Sequence, residues 1–161
     1  MNVFSDQDRR FMEVAIAAAR RGVEAGQSPF GACIVQDDKV VVSGHNRVVL
    51  DTDITAHGEI QTIRAACIEL GTIDLSGCTI FSTCEPCPMC FAACHWARLD
   101  RIVYGATIGD ANGAGFNELT ISNFKMRDLG GCNIKIDGGC LEEENKALFL
   151  EFISRPGHVL Y

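Results

Sequence analysis

The chain has 161 residues, and its 14 Lys and Arg against 21 Asp and Glu give a formal net charge of −7. A chain of this length buries roughly two thirds of its surface on folding, so we expect a single domain over residues 1–161. Its hydrophobic fraction of 47% excludes an intrinsically disordered protein. The acidic balance argues against binding to the phosphate backbone of a nucleic acid.

The N-terminal residues contain no basic region followed by an apolar stretch, and the longest apolar runs are too short to span a bilayer. We therefore expect a cytoplasmic protein that does not bind membranes. The nine cysteines are an odd number. In such a protein they argue against a disulfide framework and favour metal binding, thiol chemistry or simple burial.

Hydrophobic periodicity predicts the secondary structure. A capping box at Ser5 to Asp8 precedes an amphipathic helix over residues 6–25, and β-branched runs at 31–36 and 39–45 predict a hairpin. The later predicted elements are a helix from about 56–59 to 70, a strand at 78–82, a helix at 88–97, a strand at 101–106, a loop at 109–115, a strand at 132–137 and a helix from about 141.

This order of elements predicts the fold class. Strands that alternate with helices after an opening hairpin are typical of an α/β fold. We expect a three-layer α/β/α sandwich with a central mixed sheet of five strands, and ligand sites at the ends of the strands.

Three residues have the types and spacing of metal ligands. His57 precedes Cys87 and Cys90 by about thirty positions, and two thiolates in a C-x-x-C motif with one imidazole supply three of the four ligands of a tetrahedral zinc. The fourth position would hold water, whose pKa zinc lowers from about 9 toward about 7. Glu59, two residues after the imidazole, could reach that water and move its proton without binding the metal.

Other interpretations of these cysteines stay open at this point. A C-x-x-C motif also occurs in structural zinc sites, in disulfide exchange and as two buried cysteines. Cys84 adds a second C-x-x-C register and a closed site of three cysteines and one histidine. We favour Cys87 and Cys90, because they would share the start of one helix whereas Cys84 lies near the end of a strand.

The sequence resembles the cytidine deaminase superfamily of zinc-dependent nucleobase and nucleoside deaminases, because His57-x-Glu59 followed by Pro86-Cys87-x-x-Cys90 is its signature. The flanking motifs are most similar to bacterial guanine deaminases and plant guanosine deaminases. These motifs are Pro29-Phe30-Gly31-Ala32, His45-Asn46, Thr55-Ala56-His57, Ser82-Thr83-Cys84-Glu85 and Ala114-Gly115-Phe116. Gly58 departs from the family pattern, in which alanine is usual.

The resemblance implies substrate contacts by several residues. Asn46 is expected to hydrogen-bond the substrate, Phe30 to pack on its ring and Ala56 to lie beside it. The guanine branch presents a carboxylate in a Gly-Phe-Asp-Asp motif, and Glu118 matches its last position while Asn117 replaces the first Asp. Without the resemblance, Phe30 is interpreted as a core aromatic, Asn46 as a turn residue and Glu118 as an exposed loop carboxylate.

Two aromatic residues have two interpretations each. Trp96, six residues after Cys90, lines the pocket or fills the core. Tyr161 is the last residue of the sequence, and in the guanine branch an aromatic in this position closes an active site, in some members that of the partner subunit. The segment 141–161 is accordingly expected to close a site or, alternatively, to fray.

The resemblance thus implies a hydrolase that binds one Zn²⁺ per subunit and deaminates a small purine, with guanine converted to xanthine and ammonia as first choice. A homodimer that binds no nucleic acid is expected. The alternatives are a guanosine, aminopurine or triazine deaminase and a tRNA adenosine deaminase, against which the charge of −7 argues. A non-catalytic zinc or redox module is the alternative from a different class.

Overall fold

The computed structural model describes residues 4–161. Residues 1–3 lie outside the described part. They belong to the expected domain 1–161 and to the N-terminal sequence from which a cytoplasmic location was predicted. Residues 4–161 form α1 (Asp6–Glu24), β1 (Gly31–Gln36), β2 (Lys39–His45), α2 (Val48–Asp51), α3 (Gly58–Leu70), β3 (Cys78–Cys84), α4 (Pro88–Trp96), β4 (Arg101–Ala106), α5 (Ile108–Gly113), α6 (Asn123–Gly130), β5 (Lys135–Gly138) and α7 (Glu142–Ile153).

The five strands form one mixed sheet in the order β2-β1-β3-β4-β5. β1 is antiparallel to both β2 and β3, whereas β3, β4 and β5 are parallel. The parallel strands β3 and β4 therefore end at the same edge of the sheet, where a ligand site is expected in an open α/β fold.

Helices cover both faces of this sheet. Along β1, Ala32 and Ile34 pack in the cluster that includes α3 and α4, while Cys33 and Val35 pack in the cluster that includes α1 and α7. Successive side chains of a strand point to opposite faces, so the consecutive apolar residues 32–35 give a strand that is buried on both sides. The predicted three-layer α/β/α architecture is confirmed.

The structure of residues 4–161 contains three short helices that were not predicted, and the strand predicted at 132–137 is β5 at Lys135–Gly138. One of the three is α2, a single turn that ends at the left-handed Thr52. The predicted loop at 109–115 contains the short helix α5, because Thr107 and Asp110 form a capping box that satisfies its first backbone N–H groups. Helix α6 was not predicted. Asn123 is its one buried residue, so α6 carries little apolar signal, but Ser122 caps its start and Gly131 ends it in the left-handed conformation.

The capping box predicted at Ser5 is confirmed. Among residues 4–161, no helix combines the length and apolar character that crossing a membrane requires.

Helix α1 approaches β1 closely at Gly31. A methyl group at this position would overlap backbone atoms of Ala15 and Ala19. We expect Gly31→Ala to lower the free energy of unfolding by about 1–3 kcal/mol, the usual cost of overpacking a core, as measured by urea denaturation. Gly113→Ala is the control, since its methyl would meet open space among the described residues. An equal loss in both variants would contradict this account of the contact.

Candidate metal centre and active-site cavity

The predicted metal ligands stand where two helices begin. His57 is the N-cap of α3 and Cys87 the N-cap of α4, each with extended backbone angles, and Pro88 opens α4. Proline suits the first position of a helix because its fixed φ is helical and its missing N–H would have no helical partner there. Since helix N-termini carry partial positive charge, they favour thiolates at this place.

The three ligand atoms are close enough to bind one ion. His57 Nδ1 lies 3.7 Å from Cys87 Sγ and 3.6 Å from Cys90 Sγ, and all three ligand atoms lie within 4.8 Å of one another. Zinc bonds of about 2.3 Å to sulfur and about 2.0 Å to nitrogen in a tetrahedron separate such atoms by roughly 3.5 Å. The donor set and its spacing therefore fit zinc.

The two cysteines of the cluster, Cys87 and Cys90, together hold one negative charge and one proton. The pKa of Cys87 falls to about 4, first because the Cys90 thiol hydrogen-bonds to its sulfur and also because His57 does so. This donation holds the remaining proton on Cys90, whose pKa is raised. A divalent cation would replace that proton, since thiolates are the form in which cysteines bind zinc.

Cys84 lies outside this cluster, which decides between the two C-x-x-C registers. Its thiol donates to the carbonyl oxygen of Thr107 at 3.4 Å, near the end of β3. Among the residues that the structure describes, the cluster is therefore the predicted trio, which leaves a tetrahedral zinc one open position.

Glu59 lies beside the cluster without belonging to it. It is in the first turn of α3 and only 6% exposed. Its Oε1 accepts a hydrogen bond from Ser82 Oγ at 3.2 Å, and its Oε2 lies 3.5 Å from Cys90 Sγ. Burial, followed by the negative charge of Cys87, raises the pKa of Glu59. A carboxyl group in such surroundings is suited to proton transfer.

A cavity of about 170 Å³ opens beside these residues. It brings together the predicted Phe30, His57, Glu59, Cys87, Glu118 and Tyr161, and it is also lined by Ile54, Cys84, Glu85, Phe116 and Asn117. Burial, together with the negative charges of Cys87 and Glu59, raises the pKa of Glu118 to about 7. The expected exposed-loop alternative for Glu118 does not hold, because its side chain is partly buried in this cavity.

Asn46 and Ala56 lie behind the lining. Asn46 is fully buried; its Oδ1 accepts from the N–H of Val48 at 3.0 Å, and its Nδ2 donates to the hydroxyl of Tyr161. Ala56 is also fully buried, and its carbonyl oxygen accepts from the N–H of Arg47 at 2.9 Å. In this arrangement the Asn46 amide supports Tyr161, which itself lines the cavity.

Trp96 does not reach the cavity, and neither predicted role for it holds. Its side chain is 82% exposed at the end of α4. The physical reason is helical geometry: six residues at about 100° each turn the side chain roughly 240° from Cys90, so the two do not share a face.

Sequence reasoning gave no separate role to several lining residues. Glu85 and Phe116 belonged to motifs that carried the family resemblance, which was the available signal. Phe116 is buried between Phe30 and Tyr161, with ring centroids 4.8 and 5.9 Å away. Ile54 is a largely exposed residue before His57, and nothing in its local pattern marked it.

The metal assignment predicts a difference between neighbouring cysteines. We expect Cys87→Ala to bind zinc far below one equivalent, because two ligands cannot hold the ion, whereas Cys84→Ala retains one equivalent. Metal analysis of the purified variants measures both, with circular dichroism to check the fold. Loss of zinc from Cys84→Ala with retention in Cys87→Ala would reverse the assignment.

Comparison with known proteins agrees with this geometry. Residues 5–106 match the family model described as the cytidine and deoxycytidylate deaminase zinc-binding region. The guanine deaminase of Bacillus subtilis is 44% identical over 112 residues, which cover 69% of this chain and 72% of that protein. The tRNA-specific adenosine deaminase of the same organism is 33% identical over 138 residues, which cover 86% and 83%.

A solved structure of guanine deaminase from Nitrosomonas europaea superposes with a TM-score of 0.84 at 28% identity. The superposition covers 91% of this chain and 85% of that one. The match to the family model includes every residue of the zinc cluster and Glu59. The chain therefore belongs to the cytidine and deoxycytidylate deaminase family of zinc-dependent hydrolases that act on C–N bonds.

Proposed function

We propose that this protein is a guanine deaminase, which hydrolyses the exocyclic C–N bond of guanine to give xanthine and ammonia. The observation that carries the proposal is the partly buried carboxylate of Glu118, which lines the same cavity as Glu59 and the zinc cluster. The three relatives described above are named as guanine or adenosine deaminases, which makes a purine substrate the general expectation, and Glu118 supports guanine in particular.

The reaction replaces the amino group of a cyclic amidine by oxygen from water. Bound zinc, held by His57, Cys87 and Cys90, supplies the Lewis acidity that makes hydroxide available near neutral pH. Glu59 takes one proton from the water and passes it to the adjacent ring nitrogen while the oxygen bonds to the amine-bearing carbon. It then takes the remaining proton of that new hydroxyl group and delivers it to the amine, so that the C–N bond breaks, the carbonyl forms and ammonia leaves. The raised pKa of Glu59 suits a group that must hold a proton between these transfers.

Recognition of guanine requires an acceptor next to the reacting carbon. Guanine carries a ring N–H beside the carbon that bears its amine, whereas adenine and cytosine present an unprotonated ring nitrogen there. A carboxylate accepts hydrogen bonds and, when ionised, donates none. Ionised Glu118 therefore favours guanine over the other two bases. Phe30, Phe116 and Tyr161 provide aromatic surface for the ring.

The charges of the cavity favour a neutral substrate. Among the described residues that line it are three glutamates, Glu59, Glu85 and Glu118, and neither lysine nor arginine. Apart from the zinc cluster, the charged side chains that a phosphate group would meet there are carboxylates. Together with the net charge of −7, this disfavours a nucleotide or tRNA substrate.

A second candidate is tRNA adenosine deamination, which the similarity to tRNA-specific adenosine deaminases supports. The two functions differ in their response to salt. Phosphate contacts make tRNA binding weaken steeply as the salt concentration rises, whereas a neutral base shows little salt dependence.

A substrate panel tests the proposed activity. The zinc-loaded protein is incubated with guanine, guanosine, adenine, cytosine, aminotriazines and tRNA, and ammonia release is measured. We expect guanine to have the highest kcat/KM. Glu59→Gln should lower that value about 10²–10⁴-fold while zinc content is retained, because the proton carrier is lost and the ligands are not. Glu69→Gln, at the exposed end of the same helix, is the matched control.

Deamination of tRNA or adenine in preference to guanine would refute the guanine assignment. Full activity of Glu59→Gln would refute the role of Glu59 and leave the substrate assignment standing.

The recognition role of Glu118 gives a separate prediction. In Glu118→Gln, an amide donor partly replaces the acceptor that faces the N–H groups of guanine. Loss of a hydrogen bond to a charged group costs about 1.5–3 kcal/mol, so we expect kcat/KM for guanine to fall about 10–100-fold, mainly through KM. Steady-state kinetics measure the effect, and Glu143→Gln on the exposed face of α7 serves as control. An unchanged KM for guanine would contradict this role.

A further inference from the structure

Glu85 is a buried carboxylate that the proposed reaction does not use. It follows β3 directly, is 6% exposed and stands two residues before the zinc ligand Cys87. Its backbone N–H donates to the carbonyl oxygen of Ala106 at 2.8 Å, which continues the pairing of β3 with β4 beyond the last strand residue. Its backbone is therefore held firmly at the edge of the cavity.

The side chain of Glu85 joins two helices that are distant in sequence. Its Oε2 accepts from the backbone N–H of Ile108 at 3.2 Å, at the start of α5, and its Oε1 accepts from the N–H of Asn123 at 2.8 Å, at the start of α6. The first N–H groups of a helix have no partner within the helix, so these bonds satisfy donors that would otherwise be buried unpaired.

Asn123 adds a second connection to the same place. It is fully buried, and its Nδ2 donates to the carbonyl oxygen of Pro86 at 2.6 Å. Asn123, at the start of α6, is thus hydrogen-bonded both to the side chain of Glu85 and to the backbone of Pro86. Pro86 is one residue before the ligand Cys87.

Residues 114–122, which we call the recognition segment, connect α5 to α6. They include Phe116, Asn117 and Glu118, all of which line the cavity. Both helices that flank the recognition segment are held by the one carboxylate of Glu85. The position of Glu118 relative to the zinc cluster therefore depends on the length and hydrogen bonding of this side chain.

We propose that Glu85, assisted by Asn123, is a positioning residue that holds the recognition segment, and with it Glu118, at a fixed distance from the zinc cluster. This inference rests on the proposed role of Glu118 in binding guanine. Glu85 is assigned a role through Glu118 because both of its oxygens accept backbone N–H groups of the helices that flank the recognition segment. Its substitution should change substrate binding more than the chemical step.

Glu85→Gln provides the test. The amide keeps the shape of the side chain but directs a donor at one of the two backbone N–H groups, so one helix start loses its partner. We expect faster hydrogen–deuterium exchange in residues 114–122, about a tenfold rise in the KM for guanine, kcat within about twofold of the wild type, and one equivalent of zinc retained. Glu143→Gln, an exposed glutamate of α7, is the control and should change none of these.

The double variant Glu85→Gln/Glu118→Gln distinguishes positioning from a general loss of stability. If Glu85 acts through Glu118, the double variant should have the KM of Glu118→Gln alone, within about twofold. Multiplied effects would overturn the proposal. Unchanged exchange in residues 114–122, or loss of zinc with an unchanged KM, would also overturn it.

Asn123→Ala is the second variant, for use if Glu85→Gln does not fold. It removes the bond to Pro86 and leaves both bonds of Glu85, so the same changes are expected at smaller size; an unchanged KM and unchanged exchange would count against the proposal. The exchange measurement needs no substrate. If the wild type does not deaminate guanine while Glu85→Gln loosens residues 114–122, the proposed function fails and the structural connection stands.

Discussion

The central constraint in this structure is the meeting of two helix N-termini at one edge of the sheet. Helices α3 and α4 lie on the same face, and their N-cap residues His57 and Cys87 approach to 3.7 Å between Nδ1 and Sγ. The last strand residue before α4, Cys84, is held in the sheet by pairing of β3 with β4. Any change in how these helices pack on the sheet would therefore change the ligand geometry directly.

The same arrangement gathers negative charge in a buried place. Cys87 has a lowered pKa, and Glu59 and Glu118 have raised pKa values that both reflect burial and the nearby thiolate. A site with these groups favours a divalent cation and a ligand that offers N–H donors, and it disfavours an anion. Its electrostatics thus agree with zinc and with a neutral purine base.

The other wall of the cavity is built by long-range contacts. Glu85 joins the starts of α5 and α6, and the backbone N–H of Asn117 donates to the carbonyl oxygen of Tyr161 at 3.0 Å. Tyr161 in turn receives the hydrogen bond of the buried Asn46 amide. The recognition segment is consequently held from two sides, by the metal-binding loop and by the last residues of the chain.

Much of the fold and of the candidate metal centre could be predicted from local pattern. The β-branched, apolar run of β1 and the capping box of α1 were sufficient for those elements. The spacing of His57, Cys87 and Cys90 favoured the zinc cluster, with Glu59 as its neighbouring carboxylate, because a metal site requires particular residue types. Helix α6 could not be predicted in the same way, because Asn123 is its one buried residue. The exposure of Trp96 follows from its helical spacing from Cys90, which the prediction of a pocket or core position did not take into account.

The sequence by itself thus determined the three-layer α/β/α fold and the ligand chemistry, since hydrophobic period and metal-binding residue types are local properties. The predicted homodimer and cytoplasmic location stay predictions. Only the tertiary structure decided which C-x-x-C register is used and which residues line the cavity. Those features depend on contacts between residues far apart in the chain, such as Glu85 with Asn123 and Asn46 with Tyr161. The nine cysteines allowed more than one metal-ligand set, and the packing of α3 and α4 on the sheet brings Cys87 and Cys90 to His57.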